Sequence, residues 1–263
     1  MSLPLAAEAP VVDLSLGEVA ATLALVAVAV AVSLWRRADL EADLGLAVLR
    51  SFLQLTAIGY VIQAIFDSDS LWLVAALLAV MVVFGAVTAR GRAKGVPNAF
   101  LPLLLALSLA AAVTLGLVLA LGIFDATARY LVPVGGMVIG NSMTAAAVAL
   151  NRLADETRSS AGAIEATLAL GATARQAAAG LVTRSLRSAL IPLIDSTKTT
   201  GVVFFPGTMV GLLVGGAEPV DAVRLQLVLL WALLGSVSLA ALVAITLGYR
   251  GFFTPSQQLR ELD

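Results

Sequence analysis

Residues 99–124 read AFLPLLLALSLAAAVTLGLVLALGIF, and no charged side chain interrupts them. A helix needs about 20 apolar residues to cross the roughly 30 Å of hydrocarbon in a bilayer. This stretch therefore reads as a membrane span, and it sets the frame for the rest of the chain. Working outward, residues 19–35, 44–66, 71–89, 131–150, 199–216 and 225–248 meet the same measure, which makes seven spans in all. The composition agrees: 60% of the residues are hydrophobic and 13% charged, against about 25% charged in soluble domains, and the mean hydropathy is +1.00. The whole chain, 1–263, reads as a single all-α, polytopic membrane domain with about seven transmembrane helices.

Composition also excludes chemistry. With no Cys and no His, the chain has no disulfide framework, no thiolate or imidazole metal cage and no catalytic dyad built on imidazole. A formal charge of -1 leaves no basic excess to attract nucleic acid. The leader before the first span carries Glu8, Asp13 and Glu18. It lacks the basic region and cleavage site of a signal peptide, so the first span is expected to remain as a helix.

Basic residues near span ends stay on the cytoplasmic side, and here they alternate. Arg36 and Arg37 follow span one; Arg90, Arg92 and Lys94 follow span three; Arg152 and Arg158 follow span five; Arg250 follows span seven. The opposite connections carry Asp67 and Asp69, then Asp125 with Arg129, then Glu218 and Asp221 with Arg224. The expected topology places the N-terminus outside and the C-terminus in the cytoplasm.

The segment between spans five and six, residues 151–198, is then cytoplasmic, and its sequence is helical in character. Ser159 and Ser160 are placed to cap a first helix, Gly171 to end it in a left-handed conformation, and Thr173 to cap the next. Ile164 and Leu168 fall on one face at helical spacing. A short helix, a sharp turn and a longer helix returning to the membrane form an elbow that projects from the bilayer surface.

At Glu165-Ala166-Thr167-Leu168-Ala169-Leu170-Gly171-Ala172-Thr173, followed by Ala174-Arg175, the chain resembles the cytoplasmic loop of ABC-transporter permeases. Their pattern reads Glu-Ala-Ala, three residues, then Gly, often as Leu-Gly-Ala-Ser/Thr. Glu165, Ala166, Leu170, Gly171, Ala172 and Thr173 match, and Thr167 stands where the pattern has a second Ala. The resemblance implies that this elbow, with Leu168 and Arg175, is the coupling helix seated in a groove of the ATPase subunit. Many relatives carry an apolar-x-Leu-Pro sequence about ten residues after the Gly. Here Leu190-Ile191-Pro192 comes about ten residues later, so a longer docking helix is expected.

Three further stretches narrow the resemblance: Gly135-Gly136-Met137-Val138-Ile139-Gly140-Asn141-Ser142-Met143, Leu190 to Gly201, and Phe205-Pro206-Gly207-Thr208-Met209. They look like the FetB-type permeases, a family that includes a bacterial iron exporter and plant relatives linked to aluminium tolerance. Membership implies a multi-pass protein of the bacterial inner membrane. It also implies a homodimer bound to two copies of a separately encoded ATPase, which would hold ATP and Mg, so that no cofactor belongs to this chain. Export of iron, another metal or a metal-associated solute follows from the same resemblance.

The remaining features admit two readings each. Gly207, Gly211 and Gly215 in span six, and Gly136 and Gly140 in span five, repeat every fourth residue and suit close helix packing. Pro206 beside Gly207 is expected to kink span six. Asn141, Ser142, Met143 and Thr144, near the middle of span five, serve either helix–helix hydrogen bonds or a translocation pathway. Arg50 and Gln54 share a face of span two, with Arg50 expected to snorkel to the interface. Asp195 and Lys198, at the entrance to span six, either pair with each other or gate the path. For a bare metal ion the ligands are sparse, since Met137, Met143 and Met209 are ordinary core fillers and Asp195 is the one well-placed carboxylate. No metal site is assigned. The expected cargo is a chelate or an organic anion, or else the site relies on hydroxyls and carbonyls.

Three classes compete. An intramembrane enzyme lacks its nucleophile motif and its base, since Gly140-Asn141-Ser142-Met143 has no following Gly. No Gly-rich loop leads to a Lys-Ser/Thr pair, so the chain does not cradle ATP itself. An ABC permease subunit and an ATP-independent carrier or channel remain. The topology is checked by introducing Cys at Ser159 into a chain that has no Cys. An impermeant thiol reagent should leave it unmodified in intact cells and label it after lysis; labelling from outside would reverse the orientation.

Overall fold

A computed structural model describes residues 15–68 and 70–260. Glu8, Asp13 and Asp69, used above for the leader and the orientation, lie outside the described residues. The described chain is helical, with no strand beyond two isolated bridges. Its helices are α1 (Leu16–Ala21), α2 (Leu23–Arg36), α3 (Glu41–Ser68), α4 (Leu71–Arg92), α5 (Phe100–Ala120), α6 (Ala128–Ser159), α7 (Ala161–Ala169), α8 (Ala174–Thr199), α9 (Gly207–Val214) and α10 (Pro219–Gly248), followed by a 3-10 turn at Tyr249–Phe252. By length and composition, seven segments among the described residues suffice to cross a membrane, with α1 and α2 forming one of them.

The core is built from α4, α5, α6 and α10, which pack against one another. Their facing positions are small: Ala86, Ala89, Ala106, Ala110, Ala146, Ala149, Ala240 and Ala244 are buried. Lipid is as apolar as Leu, so helices in a bilayer associate by close van der Waals contact, and small side chains allow it. Gly135 lies directly against Leu78 of α4, and Gly248 against Leu150 of α6. By contrast, α3 touches α2 and α6 only over short stretches and stands off the core.

The elbow end of the bundle is tied by polar contacts. Asn151 Nδ2 donates to the carbonyl of Arg92 at 2.9 Å, joining the end of α4 to α6. Arg184 donates through Nε and Nη2 to Glu156 Oε2 at 2.9 and 2.8 Å, joining α8 to α6. The amide of Ala174 donates to Gln257 Oε1 at 2.7 Å, so the C-terminal segment rests beside the start of α8.

The sixth span differs from the expectation. Residues 199–216 are not one helix: Thr200 to Phe204 form a turn, with the Gly201 amide donating to the Phe204 carbonyl at 2.9 Å, and α9 is only 8 residues long. The helix long and apolar enough to cross is instead α8 (Ala174–Thr199), which overlaps most of the segment expected to lie outside the membrane. Hydropathy hid it because Arg184 and Arg187 interrupt its middle. The ion pair at Glu156 sets its register. Glu156 lies six residues beyond Leu150 (156 − 150), so antiparallel α8 comes level with Leu150 near Leu190, and Thr199 lies about 13 Å further in at 1.5 Å per residue. That is roughly half a bilayer's hydrocarbon, and α9 continues from there.

Pro206 does not kink a helix. It occupies the N-cap position of α9 with φ -61°, while the prolines inside helices are Pro133 of α6 and Pro192 of α8. Asp195 and Lys198 likewise sit in the last turns of α8, far from the elbow, rather than at a cytoplasmic entrance to span six.

The tightest approach to another segment's backbone is at Gly251, where an added Cβ would lie 2.7 Å from the carbonyl oxygen of Pro97, an atom that cannot rotate away. Gly251→Ala is expected to lower the unfolding midpoint in detergent, by an overpacking cost of about 1–3 kcal/mol. Gly140→Ala, with nothing within 4 Å of the new atom, should leave it unchanged. Equal midpoints for the two variants would refute the junction.

Candidate functional site

The elbow forms from local signals. Ser160 takes the N-cap position of α7 without a side-chain bond, and Ser159 Oγ donates instead to the Glu156 carbonyl at 3.1 Å. Ile164 is buried and Leu168 packs half-buried against the same cluster, so α7 is anchored by one face. The helix ends at Leu170, and Gly171 follows with φ +89°, a conformation that side chains with a Cβ resist. Thr173 then caps α8 in a reciprocal box: Gln176 N–H donates to Thr173 Oγ1 at 3.3 Å, and Thr173 N–H to Gln176 Oε1 at 2.8 Å. Glu165, Ala166, Thr173 and Arg175 face outward, and Ala172 is partly covered. Leu170 is 89% exposed at the tip.

The polar residues of α6 are split between faces. Asn141 is exposed and Nδ2 donates to the Met137 carbonyl of its own helix at 2.8 Å; Thr144 Oγ1 donates to the Gly140 carbonyl at 3.2 Å. Ser142 faces the opposite way, fully buried, and its Oγ has no hydrogen-bond partner. Asp195 and Lys198 pair at 3.2 Å on an exposed face of α8. Gly207, Gly211 and Gly215 belong to α9 or its end, and an added Cβ at the first two would meet nothing within 4 Å. Their small-residue stripe is therefore not used for packing among the described residues.

What the structure does bring together is a cleft of about 430 Å³ between α3, α4 and α6. Gly136, Gly140 and Met143 form its α6 wall, with Gly85 and Met81 of α4 beside them. Its polar groups are Arg50, Ser51 and Gln54 from α3, and Thr88 and Arg92 from α4. Asn141, Ser142, Thr144, Asp195 and Lys198 do not line it. The sequence pointed to Arg50 and Gln54 but not to Thr88, Arg92 or Gly85. Arg92 reads locally as an ordinary basic residue after a span, and only the placing of α3 beside α4 and α6 brings it onto the same cleft as Arg50. Among the described residues, no group of three acidic side chains is placed to hold a metal ion.

Seven span-length helices, a small-residue core and a capped elbow define a polytopic α-helical membrane protein. Residues 16–253 match the model of the Uncharacterised protein family (UPF0014), and the chain belongs to that family. It is 42% identical to the UPF0014 membrane protein STAR2 of Oryza sativa subsp. japonica, over 92% of this chain and 85% of that protein. It is 38% identical to Protein ALUMINUM SENSITIVE 3 of Arabidopsis thaliana, over 92% and 88%. It is 36% identical to the "Probable iron export permease protein FetB" of Escherichia coli (strain K12), over 91% and 93%. No solved structure matches the chain.

The buried Ser142 hydroxyl gives a direct test of packing. Ser142→Ala removes a polar atom that has no partner, so the unfolding midpoint should hold or rise, by about 1 kcal/mol or less. A clear fall would reveal a hydrogen bond that this arrangement does not contain.

Proposed function

We propose that this chain is the membrane-spanning permease subunit of an ABC transporter and exports iron, another metal or a metal-associated solute. In this reading two copies form a homodimer on two copies of a separate ATPase, which binds ATP and Mg. The observation that carries it is the elbow. Leu170 is almost fully exposed beside a left-handed Gly171, at the end of helices that extend past the apolar bodies of α4 and α10. A large apolar side chain at the tip of a rigid, doubly capped turn suits insertion into a groove of another protein. The likeness to FetB, whose name describes an iron export permease, supports the cargo class. The alternation of Lys and Arg supports an N-terminus outside and the elbow in the cytoplasm, in a bacterial inner membrane.

The elbow residues have separate parts in this reading. Ile164 and Leu168 hold α7 to the permease, Leu170 enters the partner, Glu165 and Arg175 supply rim charges, and Gly171 with Thr173 fixes the turn. Detergent-extracted permease should co-purify with an ATPase encoded apart from it. Gly171→Val, strained by roughly 1–2 kcal/mol in the left-handed region, should assemble but hydrolyse ATP without transport. Transport at the parent rate by a permease that retains no ATPase would overturn the reading in favour of an ATP-independent carrier.

A further inference from the structure

We infer that the cleft between α3, α4 and α6 is an oxyanion site, in which the guanidinium groups of Arg50 and Arg92 hold a phosphate-like or carboxylate-like group. As a statement about cargo, this rests on the permease reading; as a statement about binding, it stands on the cleft alone. Arg50 comes from α3 and Arg92 from the last residue of α4, and both line the same cleft; the bond from Asn151 of α6 to the Arg92 carbonyl places Arg92 at the elbow end.

No Asp or Glu lines the cleft. Neither the Arg50 nor the Arg92 side chain makes a hydrogen bond or an ion pair with a described residue. Both residues are exposed, and two cations on one concavity repel each other unless something negative joins them. Arginine also presents a planar fork of donors that fits carboxylate and phosphate oxygens. Gln54 and Thr88 lie one turn deeper on each wall, and Ser51 beside Arg50, so amide and hydroxyl donors extend the site inward. Beyond them the wall is Gly85, closed off by Leu107, Gly136, closed off by Met81, and Gly140, where nothing lies within 4 Å of an added Cβ and room remains for the rest of a ligand.

This arrangement disfavours a naked cation. The chemistry it selects is an anion, which for a metal cargo means a complex with net negative charge. The same donors would also take the phosphate of an anionic lipid, and the two sources are separable by experiment.

The test uses the full-length permease without ATPase, in nanodiscs of zwitterionic phosphatidylcholine at low salt. Radiolabelled inorganic phosphate is the first probe, measured by equilibrium dialysis. Native mass spectrometry in nanodiscs containing phosphatidylglycerol, counting lipids that survive release, is the second. Saturable phosphate binding that falls about tenfold or more in Arg50→Gln/Arg92→Gln and is retained in Arg50→Lys supports a free oxyanion as the ligand. Absent phosphate binding with retained phosphatidylglycerol, lost in the same variant, supports the lipid headgroup. Neither probe held by the parent, or both held equally by the double variant, overturns the site. If the double variant does not fold, Arg92→Gln alone, at the last residue of α4, carries the comparison. Because no ATPase is present, failed binding alongside intact ATP-driven transport would remove the oxyanion site and leave the permease reading standing.

Discussion

Inside hydrocarbon no water is available to pair a backbone N–H or C=O, and the rest of the structure follows from that constraint. The apolar bodies of α3, α4, α5, α6 and α10 satisfy it by unbroken helix. Three side-chain hydroxyls follow the same rule, since Thr144, Thr197 and Thr199 each bond a carbonyl of their own helix, whereas the buried Ser142 hydroxyl does not. Where the ladder stops at Thr199, the chain tightens into a turn in which Val202 and Val203 both donate to the Thr199 carbonyl, at 3.3 and 3.0 Å. The break in the sixth crossing is thus closed on itself, and the apolar side chains of Val202 and Val203 point outward.

Once the backbone is satisfied, side-chain size decides which helices meet. Alanine and glycine let α4, α5, α6 and α10 approach closely and form a core that holds its shape. On α3 the spans carry Leu46, Leu49, Phe52, Leu53 and Leu55, all exposed. These bulky residues do not interdigitate with the core, so α3 stands away from it, and that separation opens the cleft. The polar lining of the cleft and the loose seating of α3 are one feature seen from two sides.

This explains what the sequence revealed. Spans with no charge in their bodies, such as α5, were legible from hydropathy, and the count of seven was right. The elbow was legible because caps are local: Gly171, Thr173 and Gln176 lie within six residues. The sixth span was misread because its decisive interaction is not local. Arg184 is paired with Glu156, twenty-eight positions earlier, and a window average scores only the charge. The apolar run at 199–216 had the composition of a span but Gly201, Pro206 and Gly207 in the wrong places for one continuous helix. The cleft was illegible for the same reason, since Arg50 and Arg92 come to one cleft only through the placing of α3 and α4 beside α6.

The elbow and the cleft share one mechanical part. Helix α6 is 32 residues long, about 48 Å at 1.5 Å per residue. Gly136, Gly140 and Met143 along its membrane half form a wall of the cleft, and its other end at Ser159 is separated from α7 by one residue. A continuous helix resists bending far more than the sparse contacts between α3 and its neighbours resist sliding. A push on α7 would therefore tilt α6 as a lever and alter the gap to α3, while the alanine-packed core on its other face acts as the bearing. The weak point Pro133 lies beyond Gly136, on the far side of the cleft from the elbow. The stretch of α6 between elbow and cleft contains no proline, so nothing in it would absorb the displacement before it arrived.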